Sequence, residues 1–384
     1  MSEKPLHILI ISSWFPNKIH PTEGSFVYEQ AKALQNRGHL VRVIKPNLSG
    51  TAKEYWTGKS YYNPGTKYYT YLDIPVWDIV QPVIIPKLGQ FNYTFLFTKV
   101  FGKVSEYIRK YGKPDIIHSH AAFMGGVCAA QLSYAYKIPL IHTEHTSGLI
   151  FNPSQYSSFE IKQFKNLAKQ AKEFLFVSEF AKQKTQENLN VEIPQASVLF
   201  NLVDSSFFNS TLNNEGEYYV CIGNYNERKN QDFLWEAWRK FRADNPNAKL
   251  LFIGNGFENA GWYEEAKQRN ANFLPAQDRH NILQYISKSK AVISVAKVET
   301  FGLTLAEALA CGKPVIACDS GGPRDFITKE TGYLVNQNDH RALLDALHSI
   351  ENKNTFNPQF LREYALKHFS EESICSTLEN MYNN

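Results

Sequence analysis

Short apolar runs and longer stretches with apolar positions three or four residues apart alternate along this chain, and the alternation predicts its elements. Leu6 to Ile11 reads as a strand, Ser25 to Arg37 as a helix closed by Gly38, and Leu40 to Ile44 as a second strand, together a β-α-β unit. The pattern then predicts a helix near Thr94 to Tyr111, a strand Asp115 to His118, a helix Met124 to Tyr136 and a strand Leu140 to Thr143, with a further strand at Phe174 to Val177. Around Asp204 to Glu217 it breaks into a polar stretch with Asn and Gly, where we expect a domain boundary. Strands are expected again at Tyr218 to Ile222, Lys249 to Ile253, Ala291 to Val295, Val315 to Ala317 and Gly332 to Val335. Such alternation implies parallel sheets with helices on both faces. The expected architecture is α/β, with two Rossmann-like doubly wound domains facing each other across a cleft. Residues 1–205 form the first, residues 206–365 the second, and residues 366–384 a C-terminal helix that packs back on the first. Ligands of such sheets bind at the C-terminal ends of the strands, so the loops after strands are where chemistry is expected.

A chain of 384 residues with 43% hydrophobic and 20% charged residues can bury two separate cores and is not a disordered composition. The apolar run from Leu6 leads into Ser-Ser-Trp-Phe-Pro without a small-residue cleavage site, which reads as a first strand rather than a signal peptide and implies a cytoplasmic protein. Cys128, Cys221, Cys311, Cys318 and Cys375 form no C-x-x-C pair, which fits buried thiols better than disulfides or zinc. Charge is uneven: residues 1–205 carry +7 and the remainder −3. Residues 45–113 hold ten Lys/Arg against four Asp/Glu, with fifteen aromatics between Tyr55 and Tyr111. That combination suits peripheral contact of the first domain with the inner face of a membrane, or an anionic acceptor; core aromatics with solvated lysines give the same statistics.

The most informative stretch is Glu299-Thr-Phe-Gly-Leu-Thr-Leu-Ala-Glu307. Its apolar spacing predicts a helix from near Gly302 to Gly312, with Glu299 in the loop before it and Glu307 inside it. The backbone N–H groups of Phe301, Gly302 and Leu303 then belong to a helix N-terminus, which favours an anion such as a phosphate. Gly24, after the first strand, either brings backbone N–H groups close to a phosphate or is a turn glycine. There is no G-x-G-x-x-G, which argues against a dinucleotide oxidoreductase. Arg228 and Lys229 follow the first strand of the second domain, where positive charge would stabilise a departing diphosphate. His118, His120, His142 and His145 lie at strand ends, but on diverging side chains and without a carboxylate or cysteine cluster to complete a metal site. His145 is expected to be a polar group of the site, and His118 and His142 core or supporting groups.

The run Val298 to Ala317, followed by Asp-Ser-Gly-Gly-Pro-Arg-Asp325, resembles the E-x7-E signature of the retaining glycosyltransferases of family 4, which have the GT-B fold. Arg37-Gly38-His39-Leu40-Val41, Asp115-Ile-Ile-His-Ser-His120, Phe200-Asn-Leu-Val-Asp204 and Gly254-Asn-Gly256 resemble further segments of that family. The resemblance implies that Glu307 binds the ribose of a nucleoside-diphosphate sugar and Glu299 the donor sugar. It implies that Phe301, Gly302 and Leu303 amides, with Lys229 and the Gly24 loop, hold the diphosphate, that His145 lies near sugar and phosphate, and that no metal or other cofactor is needed. In the family an arginine follows the glycine of the Gly223 turn; here Asn224 stands there, and Arg228 is the candidate substitute. A glycan or lipid-linked acceptor is implied, in polysaccharide or glycolipid assembly, and no nucleic-acid partner is expected. A nucleotide-sugar epimerase and a non-catalytic nucleotide-sugar-binding protein are the alternatives.

Overall fold

The computed structural model describes residues 4–51, 65–85, 88–212, 215–353 and 356–383. Part of the basic aromatic region, including Tyr55, Trp56, Tyr61 and Tyr62, therefore lies outside the described residues, as does part of the polar stretch before Tyr218. The chain divides into two compact units. The first comprises Met1–Val177, Lys182–Leu199 and Cys375–Asn384; the second comprises Ser178–Ala181 and Phe200–Ile374.

The first unit is built on an eight-stranded sheet. Its strands are β1 (His7–Ser12), β2 (Leu40–Thr51), β3 (Gly65–Tyr71), β4 (Ile74–Val83), β5 (Ile116–His120), β6 (Leu140–Glu144), β7 (Glu173–Phe176) and β8 (Ala196–Val198). They lie in the order β3-β4-β2-β1-β5-β6-β7-β8. Ile8 to Ile11 and Ile116 to Ile117 are buried on both faces, as the central strands of a parallel sheet between helix layers must be. One edge departs from the expected parallel pattern: β3 pairs antiparallel with β4, Tyr71 opposite Ile74, around a turn at Leu72 and Asp73. This hairpin lies within the region whose charge and aromatics drew attention in the sequence. Its outer strand, Gly-Thr-Lys-Tyr-Tyr-Thr-Tyr, is largely exposed and has no continuous apolar run, so periodicity passes over it. Trp77, Tyr93 and Tyr107 of the same region are core residues, whereas Tyr68, Phe91 and Phe95 are exposed. The helix expected from Met124 begins at Val127, because Ala121 and Met124 adopt positive φ values and residues 122–126 form a wide turn before it.

The second unit holds a six-stranded, wholly parallel sheet in the order β11-β10-β9-β12-β13-β14. These strands are β9 (Tyr218–Ile222), β10 (Leu250–Ile253), β11 (Ala271–Leu274), β12 (Ser289–Ser294), β13 (Val315–Cys318) and β14 (Gly332–Val335). Its core packs Trp235, Trp238 and Phe241 of the Gln231–Asp244 helix against Tyr219 and Phe252. All five cysteines are buried free thiols.

The strand order reverses at β1/β5 in the first sheet, apart from its β3–β4 edge hairpin, and at β9/β12 in the second. At such a switch point the loops leaving the two strands diverge to opposite faces and open a crevice at the sheet edge. Gly24 follows β1 and His120 ends β5; Lys229 follows β9 and Glu299 follows β12.

Candidate functional site

In the second unit, Lys229 and Glu299 meet at the switch point. Gly223 follows β9 with φ +142°, and a Cβ there would press on the Lys229 side-chain stem at 3.3 Å. The bare backbone lets that stem lie across the strand end. Lys229 Nζ reaches Glu299 Oε2 at 2.8 Å, with 21% and 16% of the two side chains exposed. Glu299 is fixed by its own backbone, which donates to the Ser320 carbonyl at 2.9 Å and accepts from Gly322 N–H at 2.9 Å. A Cβ on Gly322 would lie 2.4 Å from the Thr300 carbonyl oxygen, so this close approach requires glycine.

The helix expected after Phe301 runs from Leu303 to Ala310, and Gly302 precedes it at φ +101° with no side-chain cap. No side chain therefore competes for its first-turn N–H groups, which an anion can take. Phe301 is buried against Phe200, Phe326 and Phe369, which anchors the helix start. Glu307 sits within the helix at 1% exposure and forms an ion pair with Arg279 at 2.7 Å. Burial pushes its carboxyl up, and the Arg279 guanidinium acts against that. Arg279 is a site residue that sequence reasoning missed; it opens the helix Arg279–Ser287 behind the cap Asp278, with no motif to mark it.

Arg228 is exposed, and its carbonyl accepts from Lys297 N–H at 2.8 Å. Asn224, standing where the family has arginine, accepts from Asn255 N–H through Oδ1 at 2.9 Å and so ties the loops after β9 and β10 together.

The first unit presents Gly24 and His145. Gly24 has φ +67° and caps the Ser25–Asn36 helix, and a Cβ there would lie 2.6 Å from the Trp14 carbonyl. This position tolerates glycine alone for both reasons. His145 packs on Phe26 at 4.4 Å and its Nε2 lies 3.1 Å from His120 Nδ1. Burial, only partly opposed by Glu144, lowers His145 to about 3, so its imidazole is neutral at pH 7. His118, lowered by burial to about 3, is bonded to Tyr382 and Thr143, and His142 to Ser119. Glu144 is buried and accepts from the N–H groups of Ala122, His145 and Thr146; burial pushes its carboxyl up, but His142, 3.3 Å away, together with the Thr146 bonds outweighs that push and lowers its pKa. Among the described residues no group of three or more His, Cys, Asp or Glu is arranged to hold a metal ion. Nor, among them, is any helix long and apolar enough to cross a membrane.

Residues 24–207 match the family model for Glycosyltransferase Family 4, and residues 203–368 the model for Glycosyl transferases group 1. The chain is 25% identical over 370 residues to the putative teichuronic acid biosynthesis glycosyltransferase TuaC of Bacillus subtilis, covering 92% of this chain and 91% of that one. It is 23% identical over 374 residues to the N-acetyl-alpha-D-glucosaminyl L-malate synthase of Bacillus anthracis, with the same coverages. The fold matches sucrose-phosphate synthase from Thermosynechococcus elongatus with a TM-score of 0.72, at 20% identity and 98% coverage of both chains. It also matches Anabaena HepE in complex with UDP, with a TM-score of 0.71 at 18% identity, over 98% of this chain and 100% of that one.

Proposed function

Because this chain belongs to glycosyltransferase family 4 and has the two-domain GT-B fold, we propose that it transfers a sugar from a nucleoside-diphosphate sugar to an acceptor hydroxyl with retention of anomeric configuration. The observation that carries the reading is the Lys229–Glu299 pair at the switch point, in the same unit as the uncapped helix that holds Glu307. Lys229 and the amides of Phe301, Gly302 and Leu303 neutralise the leaving diphosphate, with Arg228 and the Gly24 loop as further contacts. Glu299 orients the sugar. Its pairing with Lys229 makes it a poor covalent nucleophile, so the diphosphate oxygen takes the acceptor's proton on the face it leaves. Glu307 accepts from the ribose hydroxyls, while the Arg279 guanidinium opposes the upward push of burial on its carboxyl. His145, being neutral, serves as a hydrogen-bonding group to sugar or phosphate and adds no charge.

A UDP-bound neighbour and relatives named for hexosaminyl transfer to malate and for teichuronic acid synthesis support a nucleotide donor, a hexosyl group and a hydroxylated acceptor in glycan or glycolipid assembly. The test is a thermal-shift screen of UDP-, GDP- and ADP-sugars, since a ligand stabilises the folded state according to its affinity and concentration. The donor found is then used to measure transfer. Lys229→Ala and Glu299→Ala should each lower turnover at least about tenfold with unfolding unchanged. Wild-type turnover in either variant refutes its assignment.

A further inference from the structure

The turn that carries Lys229 has no apolar side chain: residues 226–230 read Asn-Glu-Arg-Lys-Asn, and Asn226, Glu227 and Arg228 are exposed. Burial therefore does not hold this turn in place. Yet Lys229 Nζ has to arrive within 2.8 Å of Glu299 Oε2 at the end of a flexible stem. We propose that Asn224, Asn226 and Asn255 are positioning residues for Lys229: their amides form a relay that fixes the Lys229 backbone against the sheet edge, and so place the cation that meets the leaving diphosphate. The inference rests on the transferase reading and adds residues that act through Lys229 rather than on the substrate.

Asn226 is the near end of the relay. Its Oδ1 accepts from the Lys229 N–H at 3.0 Å, and its carbonyl accepts from the N–H groups of Lys229 and Asn230 at 3.1 and 3.2 Å. Side chain and carbonyl together close the turn on its own backbone. The Nδ2 of the same amide donates to the Asn224 carbonyl at 3.0 Å. Asn224 Oδ1 in turn accepts from the Asn255 N–H at 2.9 Å, and Asn255 Oδ1 accepts from the Ala276 N–H at 3.0 Å. The loops after β9, β10 and β11 are thereby bonded in series, and the series ends on Lys229. Each of these Oδ1 atoms faces a backbone N–H, which can only donate, so the orientation of every amide in the relay is fixed.

Other bonds secure the loop without reaching Lys229. Gln231, 1% exposed, sends its Nε2 to the Gly223 and Asn224 carbonyls at 3.3 and 3.1 Å, which fixes the strand end to the start of the Gln231–Asp244 helix. On the other side the Arg228 carbonyl accepts from the Lys297 N–H. Among the described residues Asn226 is the one side chain bonded to the Lys229 N–H. Asparagines in an exposed turn commonly do no more than satisfy nearby backbone groups. The two roles differ in what they predict once Lys229 is removed: a turn that is only structural matters just as much, whereas a positioning relay has nothing left to place.

A double-variant cycle on the full-length protein tests this. Asn226→Ala should lower kcat by about three- to tenfold, the size of one ordinary hydrogen bond. The loss should fall on kcat rather than on the donor KM, because negative charge on the diphosphate grows as it leaves and a displaced cation is missed most there. In the Lys229→Ala background the same change should cost less than about twofold. Asn224→Ala, one bond further along and also at an exposed position, should show the same pattern with a smaller loss. Losses of equal size in the two backgrounds overturn the inference. A readout that needs no turnover is the acetylation rate of Lys229 under limiting acetic anhydride, followed by mass spectrometry. It should rise by about threefold or more in Asn226→Ala, as the ammonium leaves Glu299, while Lys184 and Lys267 keep their rates. Unchanged labelling of Lys229 likewise overturns the inference. A wild type that transfers from no donor, with the labelling change present, rejects the transferase reading and retains the relay.

Discussion

Replacing Arg279 with methionine keeps an unbranched apolar stem and removes the cation facing Glu307. Glu307 is buried, while 32% of the Arg279 side chain is exposed. Removing one partner of a fully buried pair costs about 3–5 kcal/mol; partial solvent screening of Arg279 brings our expectation down to about 2–3 kcal/mol. The Phe207 ring, 5.1 Å from the guanidinium, loses a cation–π contact worth about 0.5–1 kcal/mol, which lies within that range. A two-unit chain need not unfold in one transition, so the assay is hydrogen exchange of a peptide spanning Leu303–Ala310. A loss of 2–3 kcal/mol accelerates exchange by about 30- to 150-fold. The sign with pH follows from the direction of the Glu307 shift. Its folded pKa is already raised, and removing Arg279 raises it further. The penalty is therefore small below the unfolded carboxyl value of about 4.3 and grows as pH rises through the folded value. Adding Glu307→Leu should restore most of the protection, because an apolar pair carries no buried charge. A single variant with less than about threefold acceleration, or a double variant as labile as the single, refutes the buried-charge reasoning.

Other consequences can be measured separately. His118 and His145 are held neutral to about pH 3, whereas unfolded histidines protonate near 6.5, so stability should fall as pH drops from about 6.5 toward 3. Each contributes a slope of up to about 1.4 kcal/mol per pH unit; urea midpoints between pH 7 and 5 that do not fall would contradict this. Gly24→Ala forces a positive φ and a 2.6 Å approach to Trp14, and should lower stability by about 2 kcal/mol or more, read as a depressed melting temperature. Arg228→Ala should weaken nucleotide-sugar binding by about tenfold in calorimetry if its exposed side chain supplies the charge absent at Asn224, and unchanged affinity removes it from the site.

Where the apolar pattern was strong, the sequence revealed the structure. Tyr218–Ile222 and Gly332–Val335 are strands as expected, and Glu299 and Glu307 fall in the loop and the helix that the Phe-Gly turn indicated. The partners of these residues were less legible, because they depend on register and on loops far apart in sequence. Lys229 meets Glu299 across 70 positions, and Arg279 reaches Glu307 from a helix start that looks like any other. The hairpin was hidden by composition: its outer strand is a largely exposed run of tyrosines and threonines with one lysine and no apolar alternation, so periodicity gave no strand there.

The threading of the chain sets an order of completion. His118, in the middle of the first sheet, bonds to Tyr382, 264 positions later, and Arg37 and His39 bond to Glu379. A ribosome therefore releases every strand of that sheet before these partners exist, and the second unit's sheet is made before the first unit is finished. The unit synthesised first is completed last. A fragment ending at Leu199 is consequently an unfinished first unit, and trimming the chain after Ile374 acts on the buried histidines of a sheet made hundreds of residues earlier.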